Sequence, residues 1–450
     1  MISRRKLPEL RAFARAEAKL PFRADREYGA LVVPNGNDGL PVHGWFKYKE
    51  AFSADLLSYL LKHSELRLAR ASQMSLLDPF CGVGTSLVSS QLLADSPFAV
   101  SAAGIECNPF SAFVARTKVS WSQANPARVR QLAACVLSRP PDAEGYSLPD
   151  LSSIRTGRCI AKRVAGEIVS IRERLVSLAP SIECDVLMVG LASCIEVVSK
   201  VRRDGRALRL VKKPRTNLQQ LLAARWEMMA RDIEALRQSH RKVGIAKVFL
   251  GDGRALAEVP ARTVDLILTS PPYPNNIDYN EIYKLELWLL GFVDDAGEFL
   301  ELRKATYRSH PTCRVVDAVA EPHDKEFARV IANGLLSELL GIVIRRAASL
   351  DREHGRGRSK VLLGYVYDTW RSLKAHYGVL KRGARAVYVV GNSLHGGIER
   401  PYLVPTDLIL ACLGQEVGFS VEHLIVARPL QRRLAGNHFL RDSLLVLRKN

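Results

Sequence analysis

Short apolar runs, many with β-branched side chains, recur along the chain at 75–80, 99–107, 246–252, 264–269, 384–391, 421–428 and 443–448. Each is bounded by Gly, Pro or polar residues, the pattern of a strand. Their apolarity is continuous rather than alternating, which suits parallel strands covered on both faces. Between several of them the period lengthens to that of a helix. One such stretch is 86–93; another is 406–413, with Thr406 as its cap before Asp407. The order of elements predicts an α/β fold, a doubly wound sheet of about seven strands.

Two stretches exceed what such a sheet needs. In the first, 121–243, Val164, Ile168, Ile171 and Leu175 share one helical face, and Leu222, Trp226, Met229, Ile233 and Leu236 share another. The second, 293–361, mixes charges and includes 351–360, whose glycines and charges predict a flexible loop. The expected organisation is therefore an N-terminal extension (1–42), the first half of the core (43–120), a basic helical insertion (121–243), more core (244–292), a second insertion (293–361) and the C-terminal part of the core (362–450). No internal repeat is visible.

Charge changes the picture. The 450 residues carry 65 Lys plus Arg against 46 Asp plus Glu, a formal +19 that predicts a polyanionic partner. Residues 121–245 hold 22 basic and 12 acidic side chains, and 200–215 alone holds eight basic and one acidic. A charge run is often only a solvated face. Against the basic whole, Arg202, Arg203, Lys212 and Lys213 become candidates for phosphate contact, as do Arg432 and Arg433 near the C-terminus. The eight cysteines include no Cys-x-x-Cys pair, which argues against zinc or a disulfide framework. With no long apolar span and no apolar leader, a cytoplasmic protein is expected.

Candidate chemistry clusters where strands end. The run Asp78-Pro79-Phe80-Cys81-Gly82-Val83-Gly84-Thr85 joins the first predicted strand to a helix. Glycines there let backbone approach a ligand, and the helix start adds oriented N–H groups. The next strand ends in Glu106-Cys107-Asn108, where a carboxylate can accept from both ribose hydroxyls. The third ends in Asp252-Gly253, an acceptor for an adenine amino group or, taken alone, a simple turn. Thr269-Ser270-Pro271-Pro272-Tyr273 follows the fourth. An exocyclic amine on a nucleobase is a poor nucleophile, because its lone pair is delocalised into the ring. It needs acceptors for its hydrogens, and the Ser270 hydroxyl and nearby carbonyls qualify. The prolines stiffen the turn and bring no competing N–H. Tyr273 offers a face for an extruded base.

Together these residues resemble the amino-directed (cytosine-N4 and adenine-N6) site-specific DNA methyltransferases, a Rossmann-like class. The family's cofactor loop matches at Asp78, Pro79, Phe80, Gly82, Gly84 and Thr85, and its catalytic Ser/Asp/Asn-Pro-Pro-Tyr at Ser270, Pro271, Pro272 and Tyr273. His43–Phe52 is similar to the segment that precedes the loop and closes over the cofactor's methionine end, which adds Trp45, Phe46 and Tyr48. The resemblance implies S-adenosylmethionine as cofactor, double-stranded DNA as substrate, a cognate restriction nuclease as partner, and no metal. It covers 43–118, 246–292 and 362–450, and leaves both insertions unmatched. Serine in the catalytic tetrad points to cytosine N4, with adenine N6 the alternative. Cytosine C5 chemistry is disfavoured, since the chain has no Pro-Cys dipeptide to supply its nucleophile. An RNA guanine-N2 methyltransferase and a non-catalytic nucleic-acid-binding protein on the same fold are the competing readings. The second insertion is expected to read bases and the first to hold phosphates. Asn275, Asp278 and Tyr279 are further candidates for the base pocket.

Overall fold

Alternate side chains of a strand leave on opposite faces, so a strand apolar at every position must be covered twice. In the computed structural model of the protein this holds along the centre of one large sheet. The structure describes residues 9–62, 74–96, 99–141, 146, 156–203, 208–275, 277–313, 325–354, 357–396, 400–430 and 438–450. In chain order the strands are β1 (Phe22–Ala24), β2 (Met74–Asp78), β3 (Val100–Glu106), β4 (Val201–Arg203), β5 (Leu208–Leu210), β6 (Ala246–Leu250), β7 (Val264–Thr269), β8 (Leu380–Gly391), β9 (Ser393–His395), β10 (Tyr402–Val404), β11 (Phe419–Pro429) and β12 (Arg441–Lys449).

The main sheet has the order β1-β11-β12-β8-β7-β2-β3-β6. All its neighbours pair in parallel except β12, which lies antiparallel between β8 and β11. The chain leaves β2 towards β3 and β6, then returns to β2's other side with β7. That reversal opens a crevice at the carboxyl ends of β2 and β7, where open α/β sheets take ligands. The seven predicted strands are all present. The sheet has eight, because β1 adds a parallel edge strand, Phe22 opposite Leu424. Three residues are too few to show a period.

Leu76, Leu266, Leu268, Val387 and Val389 enter one hydrophobic core. Their strand neighbours Leu77, Ile267, Ala386, Tyr388 and Val390 enter the other. The first core is shared with the helices Pro126–Leu137, Lys162–Ser177, Ile182–Val198 and Leu218–Ser239. Leu222, Trp226, Met229, Ile233 and Leu236 are all buried there, and Trp226 Nε1 donates to the Leu187 carbonyl at 2.8 Å. The second core takes the helices Gly334–His354, Arg358–Val379 and Thr406–Val417.

Two local expectations fail. Thr406 is the first residue of its helix rather than its cap; Pro405 precedes it and makes no side-chain capping bond. The expected loop at 351–360 is largely helical. One helix runs to His354 and the next starts at Arg358, while Asp351 accepts the backbone N–H groups of Arg358 (2.7 Å) and Ser359 (2.8 Å). A carboxylate that caps the next helix explains why a charged, Gly-containing run is structured. Residues 361 and 362 lie inside the helix Arg358–Val379, and β1 adds Phe22–Ala24 to the sheet.

Candidate active site

The first loop leaves β2 at Asp78, which is 2% exposed. Its carboxylate accepts from Thr269 Oγ1 at 2.7 Å, from the Phe80 N–H at 3.2 Å, and from Ser86 Oγ. Asp78 thus ties the loop to the following helix, Thr85–Leu92, and to the end of β7. Burial pushes its carboxyl up to about 6, against the lowering effect of these donors. Gly82 (φ +53°) and Gly84 (φ +84°) take left-handed conformations that favour glycine. A Cβ on Gly82 would stand 3.0 Å from the Tyr48 ring, and one on Gly253 would stand 2.1 Å from the Pro79 carbonyl oxygen. Two loops can touch here only because these residues lack side chains.

Glu106, at the end of β3, accepts the N–H groups of Gly82 (3.0 Å) and Asn108 (2.8 Å). Burial pushes its carboxyl up to about 7, with the nearby Asp78 adding to the effect. Asn108 caps the helix Pro109–Val119 through the Ser111 N–H (2.9 Å) and donates to Asn280 Oδ1 at 2.6 Å. Past β6, Asp252 is held by its neighbour Arg254, whose Nε lies 2.9 and 3.0 Å from the two carboxylate oxygens. Arg254 also donates to Asp368 (3.1 Å) and to the Ala305 carbonyl (2.9 Å), which anchors 305–310 beside the loop.

After β7, the Tyr273 hydroxyl donates to the Val389 carbonyl at 3.0 Å. Its single proton is therefore committed, and the 2.7 Å contact between Ser270 Oγ and Tyr273 Oη takes its proton from Ser270. The relay leaves the Ser270 oxygen with lone pairs and no proton to offer. It is an acceptor.

A cavity of about 360 Å³ joins these parts. Tyr48, Asp78, Pro79, Phe80, Gly82, Thr85, Glu106, Asn108, Asp252, Gly253, Ser270 and Pro272 line it. Trp45, Phe46, Gly84, Pro271 and Tyr273 are not in its wall. Trp45 and Phe46 are core residues, the former donating to Asp232 at 2.9 Å. Tyr273 lies behind Ser270, and it is Tyr279 that presents a ring to the cavity. Of the other pocket candidates, Asp278 caps Glu281 and pairs with Arg303 (2.7 Å), while Asn275 accepts from the Ile277 N–H. Glu50, within the His43–Phe52 segment but not singled out there, also lines the cavity, as do Arg254, Asn280, Ala305, Thr306, Tyr307, Ser309 and His310, which no motif marked. Only the strand-end position of Arg254, two residues past Asp252, was a signal available beforehand.

The basic candidates separate. Arg202 and Lys212 are exposed. Arg203 is 6% exposed and locked between Glu196 (3.0 Å) and Glu286, so it is not the free phosphate contact expected from its neighbours. Lys213 is half-buried and donates to the carbonyls of Glu196 and Val201. Arg432 and Arg433 lie outside the described residues.

A parallel sheet with one antiparallel strand, a glycine loop after β2, acids after β3 and β6, and a Ser-Pro-Pro-Tyr turn after β7 are consistent with a Rossmann-like methyltransferase fold. No family model matches the chain. It is 25% identical over 439 residues to the Type II methyltransferase M.AvaI of Nostoc sp. (strain PCC 7120 / SAG 25.82 / UTEX 2576), covering 88% of this chain and 83% of the relative. The Type II methyltransferase M.AvaI of Anabaena variabilis matches with the same figures. The Type II methyltransferase M.BsoBI of Geobacillus stearothermophilus is 21% identical over 432 residues, 87% of this chain and 81% of its own. Over most of its length the chain is thus similar to Type II methyltransferases.

Proposed function

We propose that the protein methylates an exocyclic amino nitrogen of a DNA base extruded from the duplex, namely cytosine N4. The observation that carries this is the hydrogen-bond chain from Ser270 through Tyr273 to the Val389 carbonyl, which leaves the Ser270 oxygen as an acceptor at the cavity wall. An amine with one N–H held there has its lone pair drawn out of conjugation, and Pro271 and Pro272 add no donor to compete. Tyr279 supplies a ring for the extruded base to stack on.

The remaining wall fits S-adenosylmethionine. Gly82 and Gly253 leave no room for a Cβ where the loops meet, and Glu106 sits at a strand end with lone pairs beyond those its two N–H donors use. Glu106 would hold the ribose hydroxyls, and Tyr48 and Gly82 would flank the group. When bound, the cofactor supplies an electrophilic sulfonium methyl. The chain contributes position, an acceptor for the amine and the exclusion of water, and orientation dominates the gain.

The test is methyl transfer from labelled S-adenosylmethionine to duplex DNA, followed by nucleoside analysis. N4-methylcytosine is expected; N6-methyladenine would redirect the base assignment, and a label on RNA alone would overturn the reading. Ser270→Ala should lower kcat by about 100-fold or more, while S-adenosylhomocysteine affinity by calorimetry stays within about threefold.

A further inference from the structure

Residues 46–52 run between two cavities, and from Lys47 to Glu50 the side chains alternate between them. Tyr48 and Glu50 line the active-site cavity; Lys47 and Lys49 line a second cleft of about 660 Å³. The hairpin β4–β5 and the helices Ile182–Val198 and Leu218–Ser239 form its other walls. Seven basic side chains face this cleft against one acid, Glu196, which Arg203 engages at 3.0 Å. Lys49 and Lys213 donate to backbone carbonyls, and Lys47 pairs with Asp38 outside the cleft. Arg202 and Lys212 are exposed and have no acidic partner among the described residues. A cleft lined by one sign of charge focuses the field on a polyanion.

The two cavities share a wall of stacked groups. The Arg203 guanidinium lies over the Tyr283 ring, 4.6 Å from its centroid. Tyr283 stacks on Tyr48 at 5.5 Å with 9° between planes, and its hydroxyl donates to Glu50 at 3.0 Å. Arg203 belongs to the basic cleft; Tyr48 and Glu50 belong to the active site. The segment 46–52 is therefore part of the wall of both cavities.

We infer that the cleft grips the phosphodiester backbone of DNA and that its occupation, acting through 46–52, tightens the active-site cavity on its cofactor. This rests on the methyltransferase reading and adds to it a binding surface and a coupling. The phosphates are met by Arg202 and Lys212 at the rim. Arg203 stays paired and transmits the change through Tyr283.

The test uses the full chain and an Arg202→Glu, Lys212→Glu variant, with a labelled mixed-sequence duplex and S-adenosylhomocysteine as probes. Anisotropy across a salt series should show the slope of log affinity against log salt falling by about two in the variant, with at least tenfold weaker binding at low salt. Calorimetry without DNA should give both proteins the same S-adenosylhomocysteine affinity within about twofold. Saturating duplex should tighten that affinity several-fold in the wild type and not in the variant; by linkage, S-adenosylhomocysteine tightens duplex binding by the same factor. An Arg202→Gln, Lys212→Gln variant should show a smaller loss of each effect. An unchanged salt slope overturns the cleft as a backbone site, and a wild-type cofactor affinity indifferent to duplex overturns the coupling. Failure of the underlying reading is separate: a chain that binds duplex and cofactor with the expected coupling yet methylates no DNA base keeps the cleft and loses the function.

Discussion

Glu106 carries a conflict between stability and binding. Its carboxyl is pushed from 4.5 up to about 7, so the folded protein keeps a proton that the unfolded chain releases near 4.5. The wild type therefore loses stability as pH rises from about 4.5 to about 7, and the full cost stands above that. Glu106→Gln has no such titration. Its thermal midpoint relative to wild type should rise between pH 5 and pH 8, a relative gain of about 1–3 kcal/mol. On the proposal that Glu106 holds the ribose, its two donors would favour the ionised form, so wild-type affinity for S-adenosylhomocysteine should fall as pH drops below about 7, by up to tenfold for each pH step of one. The variant should bind weakly at every pH. A flat wild-type binding profile between pH 6 and pH 8 would rule out ionised Glu106 as the ribose acceptor. The residue types at this scale were legible in the sequence, because strand ends followed by glycine or acid leave a mark. The hydrogen-bonding role of Tyr273 was not: its partner Val389 lies 116 residues away, and only the sheet brings that carbonyl behind Ser270.

Among the elements, 43–52 depends on one buried amine. Lys118, 2% exposed on the helix Pro109–Val119, donates to the carbonyls of His43 (2.8 Å) and Phe46 (3.3 Å). Lys118→Met strands two buried acceptors, at about 1–3 kcal/mol. The expected signature is a five- to tenfold loss of S-adenosylhomocysteine affinity by calorimetry, about 1 kcal/mol, with kcat at saturation changed less than about threefold. A kcat defect of the same size as the affinity loss would instead place Lys118 in the chemistry. Periodicity foresaw the helices around Ile168 and Trp226, since long amphipathic faces repeat often enough to be read. It missed the helical character of 351–360, where a single carboxylate caps backbone that composition marks as loop.

For the molecule as a whole, the two ends of the chain meet. Arg441 in β12 has a fully buried side chain, paired with Asp407 (2.8 Å) and with Glu17 at the end of the helix Leu10–Glu17. Glu17→Ala leaves that guanidinium with one carboxylate and should lower unfolding free energy by about 3 kcal/mol, read as a lower urea midpoint at unchanged slope. Glu17→Gln should recover part of it. An unchanged midpoint would show that Asp407 alone neutralises Arg441. The sequence alone determined seven strands of the main sheet, the two loops and the class of chemistry they suggest, because each depends on residues within a few positions of one another. Tertiary structure decided the eighth strand, the acceptor state of Ser270, the 305–310 wall of the cavity and the burial of Arg203. These rest on partners scores to hundreds of residues away, and local pattern carries no record of which distant group will arrive to share a proton or a charge.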